Sequence, residues 1–304
     1  MKKWFIRLPL IVLGLLITLI LLVAAAFWLA NDTNGTLVSS GEERSYLLYV
    51  PENYNPSVAT PLVVSIHGFA EWPAHQMEIS HWNSLADQYG FIVVYPSGTR
   101  FPLRWRTQGT PGSEIDPMLD VTFISDLIDQ LAAEYNIDPT RIYANGLSNG
   151  GGMSFVLSCK LSERIAAIGS VSGAYLLPWD ECNSSRPVPV IVFHGTQDPI
   201  VPFQGGPSNS FDIPFPSIPE WVDALAEHNG CDGAAQEFLA GEEVSGVQFA
   251  NCDADVVFYT IAGGGHAWPG GEPLPASIVG YTTQEIDATQ IMWDFFQQHT
   301  LPTR

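Results

Sequence analysis

A chain of 304 residues, 46% of them hydrophobic and 14% charged, is long enough for one large core and is neither low-complexity nor disordered in composition. Thirty-two Asp and Glu against twelve Lys and Arg give a formal charge of −20, which argues against a nucleic-acid partner, because phosphate contacts require a basic surface. Neither a CxxC pair nor a Cys/His cluster has metal-site spacing, so the sequence calls for no metal or other cofactor.

The first thirty residues form a separate object. Lys2, Lys3 and Arg7 precede an uncharged stretch from Leu8 to Ala30, which as a helix is long enough to span a bilayer of roughly 30 Å. It exceeds the roughly 7–15 apolar residues of a cleaved signal's core. Residues 1–30 therefore read as a signal-anchor that would hold the protein on a membrane, with cleavage near Ala24-Ala25-Ala26 as the alternative. Either reading sends the remaining chain out of the cytoplasm. That part keeps nine Lys or Arg against thirty-two acids, a net −23, read as solubility or adaptation to salt. Residues 31–40 read as a short polar tether, and 41–304 as one catalytic domain.

From there short apolar runs alternate with amphipathic ones. Ser45–Pro51, Pro61–Gly68 and Phe91–Pro96 read as strands, followed by a helix in VTFISDLIDQLAAEY with Asp120 as its N-cap and Phe123, Leu127, Ile128 and Leu131 on one face. Arg141–Gly146, Ile165–Gly173, Val188–Gly195 and Val256–Gly263 read as further strands. The closing TQEIDATQIMWDFFQQH is a helix that gathers Ile286, Ile291 and Phe295 for burial. Most strands are continuously apolar, as strands buried on both faces must be. Their alternation with helices predicts an α/β fold, a mostly parallel sheet with helices on both faces.

Cys159, Cys182, Cys231 and Cys252 all lie in the exported part, an even number suited to two disulfides. Three pairings are formally open, and buried free thiols are the alternative. Proximity in sequence favours Cys159 with Cys182 and Cys231 with Cys252.

GLSNGG, Gly146 to Gly151, follows an apolar strand and precedes the helical GMSFVLSC, the strand-turn-helix setting of a nucleophile elbow carrying Ser148. A serine hydroxyl is a poor nucleophile at neutral pH and needs a base, which needs an orienting carboxylate. VIVFHGTQDPIVP ends a strand and turns at Asp198, between a bland reading as a turn cap and one as the acid. VVFYTIAGGGHAWPGG ends a strand and turns at His266. Serine, aspartate, histidine is the chain order of α/β-hydrolases. Asn149, just after the serine, supplies one backbone N–H for a developing oxyanion. Phe69, after the strand run ending in His67-Gly68, supplies the second, with Ala70 next in order. His67 reads as a brace for that loop. Trp72, Trp105 and Trp268 are candidates for lining an acyl or aryl pocket, against ordinary packing as the alternative.

PLVVSIHG, DPTRIYANGLSNGGGM, RPVPVIVFHGTQDPIVPF, the HNGC of His228 to Cys231, and GGGHAWPGG together resemble the polyhydroxybutyrate depolymerase and feruloyl esterase group of α/β-hydrolases. The resemblance covers the chain from about Ser45 to its end. It implies a serine esterase with Ser148, Asp198 and His266 in the catalytic positions, and it supports the Cys231–Cys252 pair. Two departures stand out: Phe69 occupies a position where the group often has cysteine, and no linker to a substrate-binding domain is evident. The implied substrates are small or oligomeric esters, either hydroxyalkanoate oligomers or feruloyl and acetyl esters of plant polysaccharide. A serine peptidase on the same fold and a non-catalytic, membrane-tethered binding protein are the rival readings.

Overall fold

The computed structural model describes residues 32–107, 116, 118–208 and 211–302, together with the single positions 12 and 18. The stretch expected to anchor the chain otherwise lies outside the described residues. Among those described, no helix is long and apolar enough to cross a membrane.

Three parallel strands form the middle of a ten-stranded sheet: β3 (Thr60–Ile66), β5 (Ile137–Leu147) and β6 (Ala167–Val171). β4 (Ile92–Pro96) extends it in parallel on one side, and β7 (Val190–Gly195) and β10 (Val256–Ile261) on the other. Antiparallel strands close both ends. β2 (Glu42–Tyr49) and β1 (Gly35–Ser39) follow β4, while β9 (Val244–Gln248) and β8 (Gln236–Ala240) follow β10. Every residue of β3, β4, β6 and β7 is buried. Because successive side chains of a strand point to opposite faces, this continuous burial requires a core on each side. Leu62, Val64 and Ile66 enter one core, with Phe123 and Leu127 of α3 (Met118–Glu134) and Met153 of α4 (Asn149–Lys160). Val63, Val93 and Tyr95 enter the other, with Ile79 of α1 (Pro73–Ser80), Trp82 of α2 (Trp82–Tyr89) and Trp293 and Phe296 of α6 (Ala288–Phe296).

Three local expectations need correction, and the structure adds one hairpin that no apolar run marks. The expected tether contains β1, whose Thr36-Leu37-Val38 pairs residue by residue with β2; the side chain of Asn34 clamps its start through two bonds to the Leu48 backbone. The β8–β9 hairpin leaves much of its surface exposed, so it lacks the apolar run that marks the inner strands. Asp120 lies inside the first turn of α3 rather than capping it. It is fully buried, and its carboxylate takes Arg44 at 2.8 Å and Arg106 at 3.1 Å. The last helix begins only at Ala288, because Asp287 accepts hydrogen bonds from the backbone of Thr289 and Gln290 and so sets the N-cap there. Its buried face is Met292, Trp293, Phe295 and Phe296, while Ile286 and Ile291 are only partly buried.

Cys159, near the end of α4, is bonded to Cys182, and Cys231, just after α5 (Ile218–His228), to Cys252. Each bridge closes a loop of about twenty residues, worth roughly 3 kcal/mol through restriction of the unfolded chain.

Candidate active site

Ser148 stands between the end of β5 and the start of α4, with φ 58° and ψ −120°, a backbone conformation that L-residues adopt only under constraint. The surroundings supply that constraint. Its N–H donates to the Val171 carbonyl, and its own carbonyl accepts from Gly152 and Ala174, each at 2.9 Å. The flanking glycine at 150 is required by contact rather than by φ: a Cβ there would lie 2.1 Å from the Ile66 carbonyl oxygen. β5 and α4 therefore pack against β3 closely enough to hold Ser148 on a tight turn at the carboxyl edge of the sheet, with the N-terminus of α4 beside it.

Asp198 and His266 leave the same edge from β7 and β10, on the far side of β6 from β5. His266 Nδ1 donates to Asp198 Oδ2 at 2.7 Å. The other carboxylate oxygen, Oδ1, accepts from the backbone of Ile200 and Val201, both at 2.8 Å. Asp198 thus does cap its turn, as the bland reading has it, and binds the histidine as well. Burial works to raise the pKa of this carboxyl, but His266, His194 and the Ile200 N–H outweigh it and hold Asp198 below its ordinary value. With Nδ1–H committed to the aspartate, the Nε2 of a neutral His266 is left as an acceptor.

The loop after β3 approaches the serine: a Cβ on Gly68 would fall 3.3 Å from the Ser148 Cβ. His67 braces this loop. Its Nδ1 lies 2.7 Å from the Gly68 carbonyl, and its Nε2 accepts from Gly98 N–H at 2.9 Å. Complete burial pulls its pKa to about 4, so the ring is neutral. The N–H of Ala70 donates to the Leu103 carbonyl, whereas no hydrogen bond engages that of Phe69 among the described residues. Between Phe69 and Ala70, the first and second choices for the second donor, Phe69 is therefore the one whose N–H is left free among the described residues. Asn149 has its side chain tied on both ends, Oδ1 accepting from Trp105 N–H and Nδ2 donating to Thr107 Oγ1.

Glu71, which sequence reasoning did not single out, also holds this loop. It accepts from Gly68 N–H at 2.8 Å and pairs with His75 at 3.6 Å. Burial would raise its pKa, yet His75 and the Gly68 N–H more than offset that and keep it below the usual carboxylate range. The only cue in the sequence is a carboxylate three residues after the glycine. His194, at the end of β7, stands instead behind Asp198, with Nε2 3.5 Å from its Oδ2.

The three tryptophans separate. Trp105 is fully buried, stacked on Phe123, with its indole N–H on the His67 carbonyl. Trp268 is 2% exposed, and its indole N–H donates to Thr289 Oγ1. Both are packing residues that brace the loops of the site rather than walls open to a ligand. Trp72 is half-buried, against His75.

A mostly parallel sheet with a serine elbow, then an acid, then a histidine on one edge is the α/β-hydrolase architecture. Among solved structures, an acetyl xylan esterase from Aspergillus awamori shares this fold, with a TM-score of 0.57 at 18% identity over 83% of this chain and 94% of that one. A thermostable esterase gives a TM-score of 0.57 at 20% identity, over 89% and 64%. The profile of the esterase PHB depolymerase family matches residues 44–202. A protein of Nocardia uniformis subsp. tsuyamanensis that carries an esterase name is 30% identical over 88% of this chain and 83% of its own length. The chain belongs to the esterase PHB depolymerase family, and its domain is that of a carboxylic ester hydrolase. Two other relatives are longer: the chain spans 23% of a bifunctional acetylxylan esterase/xylanase of Neocallimastix patriciarum, at 36% identity over 54% of this chain, and 46% of feruloyl esterase B of Piromyces equi, at 28% identity over 85% of it.

Proposed function

We propose that the protein hydrolyses carboxylic esters in two acyl-transfer steps through an acyl-enzyme on Ser148. The observation that carries this reading is the 2.7 Å bond from His266 to Asp198 on the same sheet edge as the strained Ser148 turn. His266 Nε2 takes the Ser148 proton as Oγ attacks the ester carbonyl. Asp198 keeps the imidazole in the tautomer that leaves Nε2 free, and stabilises the imidazolium that forms. The N–H groups of Phe69 and Asn149 bind the oxyanion; the second opens α4, where the helix dipole favours negative charge. His266 then protonates the leaving alcohol, and water repeats the sequence on the acyl-enzyme.

The substrates we propose are hydroxyalkanoate oligomers or feruloyl and acetyl esters of plant polysaccharide, in keeping with the family and with the names of the relatives. Apolar side chains exposed on the segments around the site suit an acyl or aryl group: Phe101 at 73%, Ile278 at 65% and Ile200 at 37%. Ile200 follows the acid, and Ile278 precedes Val279, whose carbonyl accepts from the His266 N–H. Two disulfides suit an oxidising compartment, in keeping with export, the protein being either held on a membrane through residues 1–30 or released by cleavage. Purified protein and its Ser148→Ala variant, assayed on p-nitrophenyl butyrate, hydroxybutyrate oligomers, methyl ferulate and acetylated xylan, test both parts. The parent should turn over at least one of these esters, and the variant should lose several orders of magnitude of that activity. Equal turnover by the two would overturn the proposal.

A further inference from the structure

Behind the Asp198–His266 pair lies a second buried histidine that the acyl-transfer steps do not use. His194 Nε2 is 2.9 Å from the Val201 carbonyl oxygen and 3.5 Å from Asp198 Oδ2. A carbonyl accepts but never donates, so the hydrogen sits on Nε2 and the lone pair on Nδ1. The ring is neutral, because complete burial pulls its pKa to about 4.

That leaves Nδ1 as a buried acceptor with no protein partner among the described residues, and two hydroxyls share its condition, Ser172 Oγ and Thr282 Oγ1. All three residues line one small cavity at the ends of β7 and β10, together with Phe193, Ile261 and Ala267. It leaves about 10 Å³ for the centre of a water-sized sphere, and one water needs roughly 10–15 Å³ on that measure, with two to four polar partners. Buried polar groups are paired as a rule. Three unpaired ones on residues that line a space of this size therefore mark a place for one water.

We propose that this cavity binds one internal water, which donates to His194 Nδ1 and bonds the Ser172 and Thr282 hydroxyls, and that His194, its tautomer fixed in this way, is a positioning residue for Asp198. The bonds balance: one O–H of the water goes to Nδ1, the other to one hydroxyl, and a water lone pair accepts from the second hydroxyl. In the opposite tautomer the Nε2 lone pair would face the Val201 carbonyl and the Asp198 carboxylate, and like partial charges would push the acid away from His266. The positioning role rests on the triad reading above, whereas the water site does not.

The test has two arms on the full chain. A crystal structure at a resolution that shows ordered waters is expected to place one water within about 3.2 Å of His194 Nδ1 and of both hydroxyl oxygens. A cavity without that water overturns the site. In the second arm, His194→Leu removes the donor facing Asp198, and His194→Gln keeps an amide N–H near the Nε2 position. His194→Leu should lower kcat about tenfold with KM within about twofold, and His194→Gln should restore most of it, the pattern of lost transition-state stabilisation rather than lost binding. Should His194→Leu fail to fold, Ser172→Ala combined with Thr282→Val removes two partners of the water and should lower kcat two- to fivefold at unchanged KM. Parent-like kcat in the folded variant overturns the positioning role. Retained activity in Ser148→Ala would instead overturn the triad reading and leave the water site standing.

Discussion

Asp198 divides its two carboxylate oxygens between two tasks: Oδ2 receives the Nδ1–H of His266 at 2.7 Å, and Oδ1 closes the turn onto Ile200 and Val201. This division makes Asp198→Asn an unusually informative change. Two backbone N–H groups require an oxygen at Oδ1, which forces the new amide NH₂ toward His266. The imidazole must then accept at Nδ1 and carry its proton on Nε2, where it cannot take the serine proton. We expect the thermal midpoint to stay within a few degrees of the parent while kcat falls about 10⁴-fold, the scale of a triad left in the wrong tautomer. Steady-state kinetics with a parallel melting curve checks both halves.

Stability should decline on mild acidification. His67 and His194 are held near 4 in the fold, from 6.5. A pKa below the unfolded value means that the unfolded chain takes up protons first. The stabilisation from neutral burial is therefore complete above about pH 6.5 and is lost as pH falls toward 4. Asp198 and Glu71, held below their ordinary values, extend the loss further into acid. Urea midpoints measured between pH 7 and pH 4 should fall steadily, and His67→Gln should flatten the slope. Midpoints constant across that range would contradict the burial of two neutral histidines.

Two glycines near Ser148 should respond differently to alanine. At Gly150 the new Cβ would meet the Ile66 carbonyl oxygen at 2.1 Å, a backbone atom with no way to yield short of separating α4 from β3. At Gly68 the nearest atom is Glu71 Oε2 at 2.7 Å, the end of a side chain that can turn away. Gly150→Ala should fail to accumulate as folded protein. Gly68→Ala should fold but lose activity, because Glu71 lets go of the loop that carries the Phe69 N–H. Soluble yield and circular dichroism, with ester turnover for the second variant, separate the two outcomes.

Much of this arrangement is legible in the sequence, because the inner strands are continuously apolar and each of the three chemical residues sits just past such a run. The edges are less legible for the same reason. β1 and the β8–β9 hairpin are partly exposed, so Thr36-Leu37-Val38 reads as tether until its pairing with Ser45, Arg44 and Glu43 in turn is seen. Asp120 illustrates a second limit. An acid before an apolar helical run looks like a cap, and only the fold brings Arg44 from 76 residues away to pair with it. Trp105 and Trp268 show a third: a large aromatic next to a catalytic loop can line the site or support it from behind. Burial and the committed indole N–H groups decide that, and neither is a property of local sequence.

Ser148 must be an activated nucleophile for this chemistry, and covalent labelling tests that most directly. A fluorophosphonate reacts readily only with a serine whose proton is being taken by a base. Intact-mass and peptide analysis of the full chain after labelling should show a single adduct, on Ser148, with esterase activity lost in proportion to its formation and labelling sharply reduced in His266→Ala. An unlabelled Ser148 in a protein that still hydrolyses esters, or activity that survives complete modification of Ser148, would contradict it.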